Sequence, residues 1–242
     1  VGLGVDLNPL ASLLTAAKVD APSHADALAR LNELELAYSK ATVTERAPPE
    51  ISMLYDGRRT LPQLLFLRSA LDPTVREDRF LLAAIVGILH GNHTRDPLNA
   101  RCLSVSMPNT FSMSPGYLRK YIAEKQLKKY PYDTFEKLRS RLVHLYAQGS
   151  PPARGAGVQG SALELTKYVA PGSAKLIVTS PPYLNVVRYG KFNWIRLWML
   201  KESVERVDST LKGHTDMSLQ VEQTDRQLGL SDRLNFRRYC DF

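Results

Sequence analysis

Val1-Gly2-Leu3-Gly4-Val5-Asp6-Leu7-Asn8-Pro9 opens the chain as a short buried-strand pattern running straight into a helix start. Asn8 is a good N-cap, and Pro9 suits the first helical position, where a missing N–H costs nothing. Leu10, Leu13, Leu14 and Ala17 come next at helical spacing. The unit therefore reads as a strand, an acidic residue at its C-terminal tip, and a helix, the opening of an α/β fold. Because the chain starts inside a strand and without Met, it is expected to be a piece of a longer protein.

Residues 24–147 then read as helices in succession. Leu28, Leu31 and Leu34 share a face within 24–40, Pro48-Pro49 breaks that segment, and a second helix is predicted over 61–71. Thr74-x-x-Glu77 has the form of a capping box ahead of the apolar run 80–89, with Gly91 as the stop. Ser114-Pro115 starts a helix carrying Tyr117, Leu118, Tyr121 and Ile122. Asp133-x-x-Glu136 caps another, with Phe135, Leu138, Leu142 and Leu145 inward and Gly149 closing it. No repeat period is visible.

After Ser150-Pro151-Pro152 and the glycine-rich 153–160 the strand signal returns, weakly over 158–162 and more clearly over 174–179. The second piece is bounded by Pro171-Gly172 and Pro181-Pro182, and a helix is predicted over 192–200. From Glu202 onward the pattern is polar and weakly periodic. Strand–helix units thus flank an all-helical insertion, and strands so connected should pair in parallel. The expected division is 1–23 and 153–242 for an α/β core, with 24–152 inserted between them.

The composition sets broad bounds. Across 242 residues there are 32 Lys+Arg against 24 Asp+Glu, a net charge of +8, with 44% hydrophobic and 23% charged residues. That mix can bury a substantial core and is not that of a disordered chain. The ten-residue run at 80–89 falls far short of the roughly 20 needed to span a bilayer, and no signal-peptide pattern opens the chain. Cys102 and Cys240 are too few for a disulfide scaffold or an all-cysteine zinc site. His90 and His93 lack cysteine or acidic partners that would make a metal site. A pI near 9.5 favours a polyanionic partner such as nucleic acid.

The run with the most chemistry is Ile177-Val178-Thr179-Ser180-Pro181-Pro182-Tyr183-Leu184-Asn185. An apolar strand here would deliver a hydroxyl, two prolines and an aromatic ring to its C-terminal edge, where open α/β sheets bind ligands. The prolines stiffen the loop and fix the direction of its carbonyls. The Ser180 hydroxyl and Pro181 carbonyl are suited to accept hydrogen bonds from an exocyclic amino group. Tyr183 offers a ring for a flipped-out base to stack on. Pro-Pro-Tyr alone also occurs in ordinary turns and proline-rich ligands; the strand before it and the helix after it favour the catalytic reading.

Thr179-Ser180-Pro181-Pro182-Tyr183 resembles the catalytic motif of the DNA amino-methyltransferases, (Asp/Asn/Ser)-Pro-Pro-(Tyr/Phe). The resemblance implies a Rossmann-like class I methyltransferase core, S-adenosylmethionine as methyl donor, and double-stranded DNA as substrate. It implies catalytic roles for Ser180, Pro181, Pro182 and Tyr183, with Thr179 beside the cofactor. Serine in the first position is closer to the cytosine-N4 group than to the adenine-N6 group. Tyr189, Trp194, Arg196 and Trp198 lie in a stretch that also resembles the family's sequence immediately downstream of the motif. Upstream, Asp6-Leu7-Asn8 is similar to the end of the family's second cofactor strand, whose carboxylate binds the ribose hydroxyls. Ser161-Ala162 stands where the family often has Asp-Ala, and the serine is a departure from that pattern.

The segment 109–117 resembles inserts of one subgroup of bacterial modification methylases, which implies a restriction–modification setting and a cytoplasmic location, bacterial or phage-like. A cognate restriction endonuclease is the implied partner. The family's Phe-x-Gly-x-Gly cofactor loop is absent, and Gly2-x-Gly4 is not that loop because it lies within the strand. The core is accordingly expected to be incomplete at both ends.

Arg119, Lys120, Lys125, Lys128, Lys129, Lys137, Arg139 and Arg141, interleaved with Tyr117, Tyr121, Tyr130 and Tyr132, read either as a DNA-backbone face or as solvated helix faces. Arg188, Lys191 and Arg196 are placed to clamp phosphates beside the motif. Asp6 alternatively caps the helix with Asn8, Ser161 alternatively caps a turn, and Trp194 and Trp198 read best as core. Neither cysteine has the Pro-Cys context of a thiolate nucleophile. The rival functions are adenine-N6 methylation, methylation of RNA or protein, and a non-catalytic DNA-binding module of similar fold.

Overall fold

The computed structural model describes residues 2–93, 96–107, 113–149, 154–179 and 188–211. The catalytic candidates Ser180, Pro181, Pro182 and Tyr183 lie outside these residues, as does Cys240. Strand β1 (Gly2–Asp6) leads into helix α1 (Pro9–Val19), and strand β2 (Gly155–Gln159) pairs with β1 in parallel, with Asp6 opposite Gln159. The parallel pairing expected for these strands is present, although β2 lies about three residues upstream of the predicted 158–162. The described fold is a mixed helix and strand structure with a small parallel two-stranded sheet.

Helix α1 lies directly on the sheet because both strands present glycines to it. A Cβ added at Gly157 would sit on the backbone of Ala16, 2.7 Å from its Cα, and one at Gly4 would meet Thr15 Cγ2 at 2.5 Å. Asn8 caps the helix as the sequence suggests, its Oδ1 accepting from Leu10 N at 3.0 Å.

Between α1 and β2 the described regular elements are helical: α2 (His24–Lys40), α3 (Pro49–Ser52), α4 (Thr60–Ala70), α5 (Arg76–Val86), a single 3₁₀ turn at Pro97–Asn99, α6 (Pro115–Glu124) and α7 (Thr134–Tyr146). Their starts largely obey local chemistry. Ser114 Oγ accepts from Tyr117 N at 3.4 Å, and Asp133 Oδ1 accepts from Phe135 N and Glu136 N at 2.9 and 3.3 Å. Gly149 adopts φ +82° just beyond α7, a left-handed conformation that favours glycine. Leu31 and Leu34 of α2, Leu64 and Leu67 of α4, Leu81 and Ile85 of α5, and Phe135, Leu138 and Leu142 of α7 are all buried in one core that also takes in Leu10, Leu13 and Ala17 of α1.

The capping box at Thr74-x-x-Glu77 does not form. Val75 occupies the N-cap of α5, and Thr74 turns back to Asp72 Oδ1, with its Oγ1 2.7 Å away. With Val75 at the N-cap, Thr74 stands one position outside the helix, and its hydroxyl is bonded locally to Asp72 instead. The helix then ends at Gly87 rather than Gly91. The remaining apolar residues Ile88 and Leu89 accept the loop 100–107: Leu103 N donates to Ile88 O and Met107 N to Gly91 O, each at 2.9 Å. This loop has no regular structure, yet Cys102, Leu103, Val105 and Met107 within it are buried.

The strand predicted over 174–179 is absent: the segment pairs with neither β1 nor β2. Leu176, Ile177 and Val178 are 81%, 69% and 85% exposed. An apolar β-branched run supplies propensity, but a strand exists only through a hydrogen-bonded neighbour, and this run has none among the described residues. The helix predicted over 192–200 is instead two pieces, α8 (Tyr189–Phe192) and α9 (Trp194–Met199), divided at Asn193. No helix among the described residues is long and apolar enough to cross a membrane.

Candidate functional site

Parallel strands bring their C-terminal ends to one edge, and here that edge gathers Asp6, Leu7 and Asn8 from β1 with Ser161 and Ala162 from the end of β2. Two hydrogen bonds tie the two chain segments together there: Gly160 N donates to Asp6 O at 3.0 Å and Gln159 Nε2 to Leu7 O at 3.4 Å. The Asp6 carboxylate is exposed, and its Oδ1 accepts from Asn8 N at 2.8 Å, which fixes its direction at the strand tip. Its Oδ2 meets no hydrogen-bond donor among the described residues. A carboxylate held in this way can accept two hydroxyls of a sugar.

Ser161 is the N-cap of a 3₁₀ segment, Ala162–Lys167, with Oγ accepting from Leu163 N at 3.2 Å. Its capping role is therefore occupied structurally, although the hydroxyl can still donate its proton. Tyr168 closes over Gly160, where a Cβ would collide with its hydroxyl group. Thr179 lies on the exposed 174–179 segment and is not joined to this edge by any hydrogen bond among the described residues.

The basic residues divide by what they touch. Arg119 and Lys120 lie exposed on α6, beside Tyr117 and Tyr121, whose rings stack with centroids 6.2 Å apart. Lys125 and Lys128 are also exposed, while Lys129 Nζ donates to Ser52 O at 2.7 Å. Lys137 is bound inward, donating to Ala100 O at 2.8 Å and lying 5.0 Å from the Tyr132 ring centroid. Arg139 pairs with Glu35. Tyr132 is buried, its hydroxyl donating to Pro97 O at 2.6 Å. The basic and aromatic stretch is thus one exposed patch around α6 and a second set built into the helical packing.

Arg188 and Lys191, at the start of α8, are exposed. Arg196 is not: it donates to Val86 O at 3.3 Å and Asn193 Oδ1 at 2.8 Å, and burial pulls its pKa down. It joins the packing instead of a phosphate clamp, held against the C-terminal end of α5 by Val86 O. Trp194 is core, with Nε1 donating to Met113 O at 2.9 Å, and Trp198 carries the Arg68 guanidinium 5.3 Å from its ring centroid.

Cys102 is buried, and desolvation pushes its thiol from the ordinary 9.0 up to about 11. Such a group holds about a hundredth of the thiolate of a free cysteine at pH 8. In a Cys240→Ser chain, alkylation of Cys102 by iodoacetamide is expected to run at least about 100-fold slower in the folded than in the urea-unfolded protein. Equal rates would mean that the 100–107 loop does not cover it. His93 bonds through Nε2 to Ser104 O at 2.8 Å and sits edge-on to Tyr130 and Tyr132. Among the described residues no His, Cys, Asp and Glu side chains cluster to hold a metal.

The chain matches no known protein-family model, and no curated protein or solved structure matches it significantly.

Proposed function

We propose that the chain is part of an S-adenosylmethionine-dependent DNA amino-methyltransferase, with β1, α1 and β2 belonging to a Rossmann-like sheet and 24–152 inserted into it. The observation that carries this reading is the joint placement of Asp6 and Ser161 at the C-terminal edge of parallel strands. That is where an α/β sheet binds a nucleoside, and Asp6 has the charge and exposure to hold its ribose. S-adenosylmethionine bound there would supply an activated methyl group on a sulfonium centre. The chain's own task is orientation, an effect that can supply several kcal/mol. Ser180 and the Pro181 carbonyl would accept the target amine's hydrogens, Pro182 would hold the loop, and Tyr183 would stack on the base. The α6 patch with Arg119, Lys120 and Lys128, together with Lys129, Arg188 and Lys191, would contact the DNA backbone. Cytosine N4 is the favoured acceptor.

Replacing Asp6 with alanine is expected to weaken S-adenosylmethionine binding about 100-fold in calorimetry, since two hydrogen bonds to a charged group are lost. Asp6→Asn should fall between the two. An unchanged affinity with intact folding would remove Asp6 from the cofactor site.

The function is tested in the full-length protein with tritiated S-adenosylmethionine and unmethylated double-stranded DNA, comparing it with its Ser180→Ala and Tyr183→Ala variants and identifying the labelled nucleoside. Label in N4-methylcytosine, lost in both variants, is the expected result. Label in N6-methyladenine keeps the mechanism and changes the base. DNA binding with steep salt dependence but neither label nor cofactor affinity overturns the reading in favour of a non-catalytic module.

A further inference from the structure

Between α1, α5 and α7 lies a cavity of about 380 Å³, within the size range of small-molecule sites. Its walls are apolar, from Leu10 and Leu14 of α1, Phe80 and Ala83 of α5 and Leu145 of α7. Lys18, Arg141 and Arg196 also line it, and no described carboxylate does. None of its lining residues belongs to the Asp6–Ser161 edge, so it is separate from the proposed methyl-donor site.

Arg141 is the unexplained group. Its Nε is shielded from solvent and meets no hydrogen-bond acceptor, and no ion pair reaches its guanidinium among the described residues. The neighbouring charge is of the same sign: burial and Arg101 both act to lower the Arg141 pKa. Other arginines around the core do meet carboxylates, Arg30 with Asp78, Arg68 with Glu45, Arg76 and Arg79 with Asp20, and Arg139 with Glu35, and Arg196 on the same cavity wall donates to Val86 O and Asn193 Oδ1. A partly buried guanidinium with an orphaned donor costs stability unless something answers it. An oxyanion arriving with a ligand would offset that cost at the guanidinium's outer nitrogens, and the apolar walls would hold the rest of that ligand.

We propose that this cavity binds a small organic anion, a compact apolar body carrying one carboxylate or phosphate group, with Arg141 as the partner of the anion. The planar guanidinium fork suits either oxyanion and favours two parallel hydrogen bonds. Lys18, exposed on α1, adds attraction without needing to desolvate.

The probes are octanoate, octyl phosphate and neutral octanol, titrated calorimetrically into the 242-residue chain and into Arg141→Met and Ala83→Leu variants. Octanoate or octyl phosphate is expected to bind one-to-one and at least about ten-fold more tightly than octanol, and the tighter of the two identifies the head group. Arg141→Met should lose about ten-fold or more of the anion's affinity while leaving octanol unchanged. Ala83→Leu, which fills the cavity and leaves Arg141 in place, should abolish binding of all three. Native Trp194 fluorescence confirms that each variant is folded. Octanol binding as tightly as the anions, or anion binding that survives both substitutions, would overturn the proposal, as would no binding of either anion to the unaltered chain.

Discussion

Replacing Gly157 with valine is expected to cost about 3 kcal/mol of stability, at the upper end of what overpacking does to a well-filled interior. The neighbour a side chain would meet is not a flexible tip but the backbone of Ala16, whose Cα lies 2.7 Å and Cβ 2.9 Å from the position of an added Cβ. Helix α1 would have to lift off the sheet, and with it the Asn8 cap and the Asp6 carboxylate that the same turn holds. Urea denaturation would show a lowered midpoint, and S-adenosylmethionine binding should weaken in the fraction that still folds. Gly116→Ala is the control: its added methyl meets nothing within 4 Å and stands in helix α6, where alanine is the better helix former. A loss below about 1 kcal/mol for Gly157→Val would mean that α1 does not lie on β2 in this way.

Removing the carboxylate of Asp78 should be as damaging, at about 3 kcal/mol. Asp78 is almost wholly buried at the start of α5, where it accepts from Arg30 Nε at 2.6 Å, Arg30 Nη2 at 3.1 Å and Asp72 N at 3.1 Å. The pairing holds the Arg30 guanidinium pKa above its usual range, the hydrogen bonds from Arg30 to Asp78 being the largest cause. In Asp78→Ala the Asp72 amide loses its acceptor and the guanidinium is left with Glu33 alone, at 3.1 Å. Arg30 remains about one-third exposed, so water recovers part of its solvation, which keeps the loss below that of a fully enclosed ion. The double variant Arg30→Met with Asp78→Leu should recover part of the stability lost, because apolar side chains replace a buried pair at little net cost. Chemical denaturation of Arg30→Met, Asp78→Leu and the double variant measures the coupling directly. Additive losses would mean the pair is not coupled.

The ion pairs of α5 also explain how the strand–helix unit is attached to the helical layer. Asp20, just past α1, receives Arg76 at 3.2 Å and Arg79 at 3.0 Å. In sequence these residues are nearly sixty positions apart and each alone reads as surface charge. Their meeting is a consequence of α1 and α5 packing through Leu10, Leu13, Phe80 and Ala84, and no local pattern announces it.

Legible in the residues alone is whatever neighbours a few positions away govern. The strand at 2–6, the Asn8-Pro9, Ser114-Pro115 and Asp133 helix starts, the apolar face of α2, that of α7 through Phe135, Leu138 and Leu142, and the chain reversal at Gly149 are legible, because caps and helical periodicity act over one turn; Leu145, expected inward on α7, is instead 39% exposed. The Asp6 edge was legible for the same reason, being the tip of a strand that runs into a capped helix. Long-range packing accounts for the rest. It buried the irregular 100–107 loop by giving its amides the carbonyls of Ile88, Leu54 and Gly91, and drew Arg196 inward. It left Leu176-Ile177-Val178 exposed, although their composition is that of a strand. The orphaned Arg141 and its cavity belong to this second group as well. Each of these depends on which surface a segment meets across a long stretch of chain, and composition and local spacing carry no record of that meeting.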